Sequence, residues 1–435
     1  MNKIIPYGKQ HITEEDIQAV VSALQSDYLT QGPQIKAFEE AFAQYVGARY
    51  AVAVANGTAA LHLNCLALGV KEGHKVITSP ITFAASANCV RYCGGEVVFA
   101  DIDPDTYLLD IKQVRQLLES APKGTYQGII PVDFAGRAVD LEAFRKLADE
   151  YGLWIIEDAC HAPGGYFVDS KGQSQHCGNG QFADLAIFSF HPVKHIASGE
   201  GGMITTNDPA LYEKLLMLRT HGITRETDRF TNDPAWASGQ SPTANRQPPT
   251  ANRQYPAWYM EMQTLGFNYR LTDFQAALGI SQLKRAEEGI QKRRAIASTY
   301  YEAFKNIPQI TDRNYEAANS EQPIANSQPP TANRQSPTAN RQQPTTNGHA
   351  YHLYVLEVAD RLGLYNYLRE HNIFAQIHYI PTHLMPYYRA FGWKEGDMPQ
   401  AETYYQYCIS LPMYPTLTEE EQAFVIEKIK DFYKS

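Results

Sequence analysis

Six cysteines in 435 residues are too few for a disulfide scaffold. Cys65, Cys89, Cys93, Cys160, Cys177 and Cys408 show no paired C-x-x-C spacing, and three of them stand inside apolar segments, so buried free thiols are expected. Long apolar runs are also missing. No segment holds eighteen uncharged apolar residues in succession, and the opening MNKIIPYGKQHITEED carries Pro, Gly and acid where a signal peptide needs continuous apolar residues; the expectation is a cytoplasmic protein without a membrane span. Basic tracts are lacking as well: 38 Lys and Arg stand against 47 Asp and Glu, a formal charge of -9, and the cations form no run that would track a nucleic-acid backbone. A chain of this length exceeds one ordinary hydrophobic core, so a large domain with a smaller partner is expected.

What the sequence does contain is alternation. KVITSP, EVVFADID, GIIPVDF, LWIIEDA and LAIFSF are short β-branched or aromatic runs separated by helical or turn sequence, the order of a mostly parallel sheet with helices on its faces. Ahead of them, Ile12 to Tyr45 has the pattern of one or two amphipathic helices interrupted at Gly32-Pro33, and Asn56-Gly57-Thr58 opens an alanine-rich helix with Asn56 as its cap. After them, YHLYVLEV predicts a strand, followed by a helix around Leu362 to Glu370 and another beginning near Thr418, a smaller α+β unit. These readings divide the chain into residues 1–265, an N-terminal segment with the large domain, and 266–435, an interface helix with the smaller domain. Two stretches, 241–254 and about 318–347, repeat units such as SPTANRQ and ANRQQPT that have almost nothing apolar to bury, and they read as surface insertions.

Open α/β sheets bind ligands beyond the carboxyl ends of their strands, which directs attention to Ser79, Asp133, Asp158 and Ser189. Lys194 follows LAIFSF in a turn rich in Gly and Ser, placed to enter a pocket, although the same context describes an ordinary surface lysine. Asp158 ends LWIIED, where it could pair with a protonated pyridine nitrogen or simply cap a helix. Gly57, Thr58 and Ala59 offer helix N-terminal N–H groups and Ser189 a hydroxyl for a phosphate, but Asn-Gly-Thr is equally a plain helix entrance. Phe83 could present a flat face to a ring or pack in the core.

Seven motifs in this order, SDYLTQGP (26–33), ANGTAAL (55–61), SPITFAASAN (79–88), VVFADIDPDT (97–106), EDACHAPG (157–164), FSFHPVKHIASGEGG (188–202) and GFNYRLTDFQAALG (266–279), resemble the DegT/DnrJ-like sugar aminotransferases, over the whole chain except the two repetitive stretches. The resemblance implies a fold type I, aspartate-aminotransferase-like α/β enzyme using pyridoxal 5'-phosphate, with no metal. By the family pattern Lys194 carries the cofactor as a Schiff base, Asp158 contacts the pyridinium nitrogen, and Phe83 stacks on the ring. Ser189 with Gly57, Thr58 and Ala59 holds phosphate, and His161 stands beside the cofactor oxygen. A homodimer with shared sites is implied, Asn268 reaching the phosphate across the interface; the bland account of its motif is a helix entrance with an Arg270–Asp273 ion pair.

Glutamate is the implied amino donor, leaving 2-oxoglutarate, and a UDP-linked 4-keto-6-deoxy-N-acetylhexosamine the implied acceptor, because the opening stretch from Ile5 to Pro33 is similar to enzymes of pseudaminic acid biosynthesis. Tyr7, Lys9, Arg225, His378, Tyr379 and His383 are candidates for the sugar-nucleotide pocket, supplying flat faces and phosphate-directed donors. Amination at C3, or at C4 of another nucleotide sugar, is the alternative within the family. A cofactorless regulatory relative would lack the lysine that is present here as Lys194.

Overall fold

The computed structural model describes residues 4–239, 255–316 and 348–434. Both repetitive stretches expected to be surface insertions lie outside the described residues.

A seven-stranded sheet organises the N-terminal part, with neighbours in the order Tyr50–Val54, Gly202–Thr206, Leu185–Ser189, Trp154–Asp158, Tyr126–Ile130, Lys75–Thr78, Glu96–Phe99. All five strands anticipated from the alternating runs are present and mutually parallel. Gly202–Thr206 runs antiparallel to both its neighbours, because it returns directly from Leu185–Ser189 through the loop that carries Lys194. The edge strand Tyr50–Val54 was not among the anticipated runs; Ala-Val alternation is compatible with a helix as well as a strand, and only pairing with Gly202–Thr206 decides it. Val52, Val54, Ile77, Ile129, Ile155, Ile156, Ile187 and Ile204 are fully buried, as expected when helices cover both faces of a parallel sheet.

Helix ends follow local chemistry. Thr13 and Asp16 form a capping box at Glu14–Leu24, Pro33 opens Pro33–Val46, and Asn56 caps Gly57–Ala67 by accepting from the Ala59 N–H at 2.8 Å. Asp273 does not pair with Arg270 among the described residues. Its two oxygens instead accept from the Gly32 and Gln34 N–H groups at 2.7 and 3.0 Å, pinning the entrance of Pro33–Val46 onto helix Asp273–Leu283. A Cβ on Gly32 would lie 2.6 Å from Asp273 Oδ1, so the turn admits only glycine.

Beyond the long helix Ala286–Phe304, strands Ile310–Thr311, Tyr354–Val358 and Cys408–Leu411 form an antiparallel sheet, with helices Arg361–Glu370 and Glu419–Phe432 close to the anticipated positions. Its core of Tyr300, Phe304, Leu356, Leu364, Ile409 and Val425 is separate from that of the large sheet. All six cysteines are free. Among the described residues no helix is long and apolar enough to cross a membrane.

Candidate active site

The carboxyl ends of Trp154–Asp158 and Leu185–Ser189 lie side by side, since the two strands pair in parallel, so Asp158 and Ser189 reach one edge of the sheet together. Asp158 is nearly buried, and its oxygens accept from the Ser86 hydroxyl at 2.6 Å and the Cys160 N–H at 3.2 Å. Gly202 pairs with both Val54 and Ser189, which draws the Asn56-Gly57 turn against Ser189. A Cβ on Gly57 would stand 3.2 Å from Ser189 Cβ and 3.5 Å from its hydroxyl oxygen. Glycine therefore leaves a cradle between the Ser189 hydroxyl and the first N–H groups of Gly57–Ala67, which make no intrahelical bonds. Ala59 contributes less than expected, because its N–H is taken by Asn56.

Lys194 projects from the wide loop between Leu185–Ser189 and Gly202–Thr206, and its Nζ lies 3.4 Å from His352 Nε2. Burial lowers the lysine's proton affinity; the negative charge of Asp158 and the Cys160 side chain work in the opposite direction, and Arg293 reinforces the lowering. Asp158 and Lys194 near each other are what a pyridine ring with an aldehyde substituent requires: an anion for the ring nitrogen, an amine of lowered proton affinity for the carbonyl carbon, and a phosphate cradle at a helix N-terminus. The residues present fit pyridoxal phosphate.

His161 sits at the same edge with both ring nitrogens engaged. Nδ1 accepts from the Ala135 N–H at 3.2 Å, and Nε2 lies 3.2 Å from the Tyr379 hydroxyl. Burial, aided by the charge of Lys194, holds this imidazole neutral, well below the usual histidine range. With Nδ1 accepting, the single ring proton sits on Nε2 and is donated to the Tyr379 oxygen. The tyrosine's own hydrogen is therefore directed elsewhere, and burial raises its pKa so that the phenol stays protonated. The neighbouring surface is aromatic: Phe83, 64% exposed, has its ring centre 6.3 Å from that of Tyr379, and His378 lies 5.0 Å from Tyr7. His378 bonds Ser410 through Nδ1 at 2.9 Å and is pushed down to about 3 by burial and by Lys194.

Other sequence candidates fall differently. Gly8 abuts Val193, which lays the segment carrying Tyr7 and exposed Lys9 along the lysine loop. Arg225, just past the short strand Ile223–Thr224, is exposed. His383 has no exposed surface, and its Nε2 faces Glu402 at 3.0 Å; the imidazole ties a loop to helix Pro399–Tyr407 instead of presenting itself to a ligand. Asn268 is exposed, bridged through its backbone to Thr220.

Sequence reasoning missed Ser86, which anchors Asp158, and His352, which contacts Lys194. Ser86 stands inside SPITFAASAN and His352 two residues ahead of Tyr354–Val358, so both lay within segments already singled out, but nothing in the spacing linked them to residues 72 and 158 positions away. Asp133, singled out at its strand end, belongs to a buried group whose other members, Glu157 and Cys177, the sequence did not connect with it. Asp133, Glu157 and Cys177 have their side-chain polar atoms within 4.8 Å of one another. Asp133 Oδ1 accepts from Val139 N–H and Glu157 Oε2 from Gly178 N–H, whereas among the described residues Asp133 Oδ2 and Glu157 Oε1 have no hydrogen-bond partner within ordinary distance. A proton shared between the two carboxyls satisfies both oxygens.

The family model described as the DegT/DnrJ/EryC1/StrS aminotransferase family matches residues 10–430. The spore coat polysaccharide biosynthesis protein SpsC of Bacillus subtilis is 35% identical over an alignment spanning 100% of this chain and 98% of that protein. Among solved structures, PseC of Helicobacter pylori, an aminotransferase involved in the biosynthesis of pseudoaminic acid, superposes with a TM-score of 0.79 at 27% identity, covering 99% of this chain and 100% of PseC. The PLP form of the putative sugar aminotransferase Spr1654 of Streptococcus pneumoniae gives a TM-score of 0.78 at 25% identity, covering 99% of each chain.

Proposed function

Since the chain belongs to the DegT/DnrJ/EryC1/StrS aminotransferase family and is a pyridoxal-phosphate-dependent aminotransferase of fold type I, we propose that it transfers an amino group from L-glutamate to C4 of a UDP-linked 4-keto-6-deoxy-N-acetylhexosamine, a step of pseudaminic acid biosynthesis. The observation that carries this reading is the convergence of Lys194, Asp158 and the Gly57–Ser189 cradle on one sheet edge, faced by the aromatic group of Tyr7, Phe83, His378 and Tyr379. PseC, whose own substrate belongs to that pathway, supports the choice of sugar.

In this reading Gly57 and Thr58 N–H groups and the Ser189 hydroxyl hold the phosphate, with Asn268 of the partner subunit added across a dimer interface. Asp158, held by Ser86 and Cys160, faces the ring nitrogen. Bound pyridoxal phosphate supplies a conjugated ring that takes up electron density when a substrate C–H bond breaks. Lys194 Nζ, kept more readily in its neutral form by its lowered proton affinity, takes the proton from the donor's α-carbon in the first half-reaction. The same nitrogen delivers a proton to the sugar carbon in the second, so one tethered amine determines the face that is protonated. Tyr379, oriented by His161, offers its hydroxyl hydrogen to a sugar or cofactor oxygen. Phe83 stacks on the cofactor ring, and Tyr7 offers a flat face to the sugar nucleotide.

Two measurements test this. Borohydride reduction of the loaded enzyme followed by peptide mass spectrometry is expected to place the cofactor on Lys194 alone; attachment elsewhere refutes the site. Incubation with glutamate and the UDP-4-keto sugar, followed by NMR, is expected to give one C4 amine configuration. An amine at C3 would leave the aminotransferase standing and remove the proposed acceptor.

A further inference from the structure

We infer that His352 is a positioning residue that presents an Nε2–H donor to the nitrogen of Lys194. The inference rests on the reading of Lys194 as the amine that carries protons in the reaction. His352 is 4% exposed and stands at the entrance of Tyr354–Val358, far in sequence from the lysine loop. Its backbone is held from two sides. Arg293, buried and in contact with the carbonyl oxygens of Tyr351, His352 and Met413, clamps one side. The turn at Gly136 approaches the other so closely that a Cβ there would lie 2.9 Å from the His352 nitrogen, while Leu353 N–H donates to Ala135 at 3.1 Å. The backbone that carries the imidazole is thus held before any ligand arrives.

Which nitrogen carries the ring proton follows from the surroundings. Burial and the nearby charges of Lys194 and Arg293, with His161 and His195 adjoining, keep the ring neutral, well below the usual histidine range. Its Nδ1 is buried and has no hydrogen-bond partner among the described residues, whereas Nε2 lies 3.4 Å from Lys194 Nζ. An orphaned buried N–H is less tolerable than an orphaned lone pair, so the proton belongs on Nε2. That N–H can donate to a neutral amine and opposes an ammonium. The other groups around the lysine are accounted for: Asp158 and the Cys160 side chain favour its charged form, Arg293 disfavours it, and His161, His195 and His378 are neutral, each held below the usual range first by burial. The Cys160 side chain and Asp158 bias Lys194 toward its ammonium form, against burial. His352 opposes that tendency at the nitrogen itself.

The test reads the lysine without turnover. In full-length protein freed of cofactor, the rate at which acetic anhydride acylates Lys194 is followed against pH by mass spectrometry of its peptide. Replacing His352→Phe keeps an apolar ring and removes the donor. The expected result is about tenfold slower acylation at neutral pH, the scale of one net hydrogen bond, with an unchanged plateau at high pH where the amine is neutral in both proteins. Loosened packing would move the plateau instead. His352→Gln, whose amide can present an N–H, should restore much of the neutral-pH rate. Acylation at neutral pH that is as fast as wild type or faster in His352→Phe overturns the inference, because it means that Nε2 accepts from an ammonium or does not act on the lysine. Should the variant fail to fold, 15N NMR of histidine-labelled wild-type protein decides: the resonance perturbed by Lys194→Met should belong to an Nε2–H tautomer, and an Nδ1–H tautomer refutes the assignment. Neither outcome depends on the borohydride experiment, which by itself decides whether Lys194 carries the cofactor.

Discussion

At the scale of single residues, the site works by opposing biases. Asp158 accepts from Ser86 and Cys160 and still projects a charge that Lys194 feels, while burial draws the lysine the other way. Changing Asp158→Asn keeps the shape and removes the anion; we expect cofactor to bind while the rate of proton removal in single-turnover spectroscopy falls about a hundredfold or more. Unaltered rates in both half-reactions would show that the carboxylate has no electronic part. Beneath it, burial pushes the Asp133 carboxyl from its ordinary 3.8 up to about 7, and burial together with the negative charge of Asp133 pushes Glu157 well up. Between these limits the folded chain holds a proton that the unfolded chain has released, so the pair's contribution to stability is greatest below the ordinary carboxylate range and is lost as pH rises through about 7. Asp133→Asn removes part of this dependence. Its melting temperature should drop between about pH 5 and about pH 8 by a few degrees less than that of wild type, as read by thermal unfolding. An equal drop would mean the pair does not hold an extra proton.

At the scale of elements, the proposed phosphate cradle depends on how closely two strand ends approach. Gly202 lies between Val54 and Ser189, and a Cβ on it would come within 2.6 Å of the Asn56 carbonyl carbon and oxygen and 3.0 Å of the Gly57 nitrogen. These are backbone atoms at a capped helix entrance and cannot swing aside as a flexible side chain would. Gly202→Ala should therefore displace the start of Gly57–Ala67, costing about 1–3 kcal/mol in denaturant unfolding and weakening pyridoxal-phosphate affinity more than it weakens the fold. A variant with normal affinity would show that the entrance of this helix does not hold the phosphate. The same logic runs through Gly32, where the close approach serves Asp273 and ties the N-terminal helices to Asp273–Leu283.

On the scale of the whole molecule, the site lies where the two cores meet. Lys194 and Asp158 come from the large sheet, whereas His352 and Tyr379 come from the C-terminal part, and Tyr7 from the segment whose Ile5–Pro6 pairs with Ile373–Phe374. If the partner subunit's Asn268 completes each phosphate site, subunits carrying Lys194→Ala and subunits carrying Asn268→Ala are each inactive as homodimers. A mixed dimer then contains one site with both residues intact. Refolding the two together should recover about a quarter of wild-type turnover, from half the dimers with one working site each. No recovery, with dimers present in sedimentation, would place Asn268 in its own subunit's site.

By itself the sequence determined most of the elements, because β-branched runs and capping residues are local features that act within a few positions. Even the five parallel strands and the Asn56 cap were legible for that reason. The tertiary structure decided what crosses long sequence distances: that Gly202–Thr206 returns antiparallel, that Asp273 serves the Gly32 turn and not Arg270, that His383 is consumed by Glu402, and that His161 is engaged by Ala135 and Tyr379. Each is a choice of hydrogen-bond partner for a buried polar group. Such a group must find a donor or acceptor somewhere, and spacing along the chain carries no record of which one the packed fold brings within 3 Å.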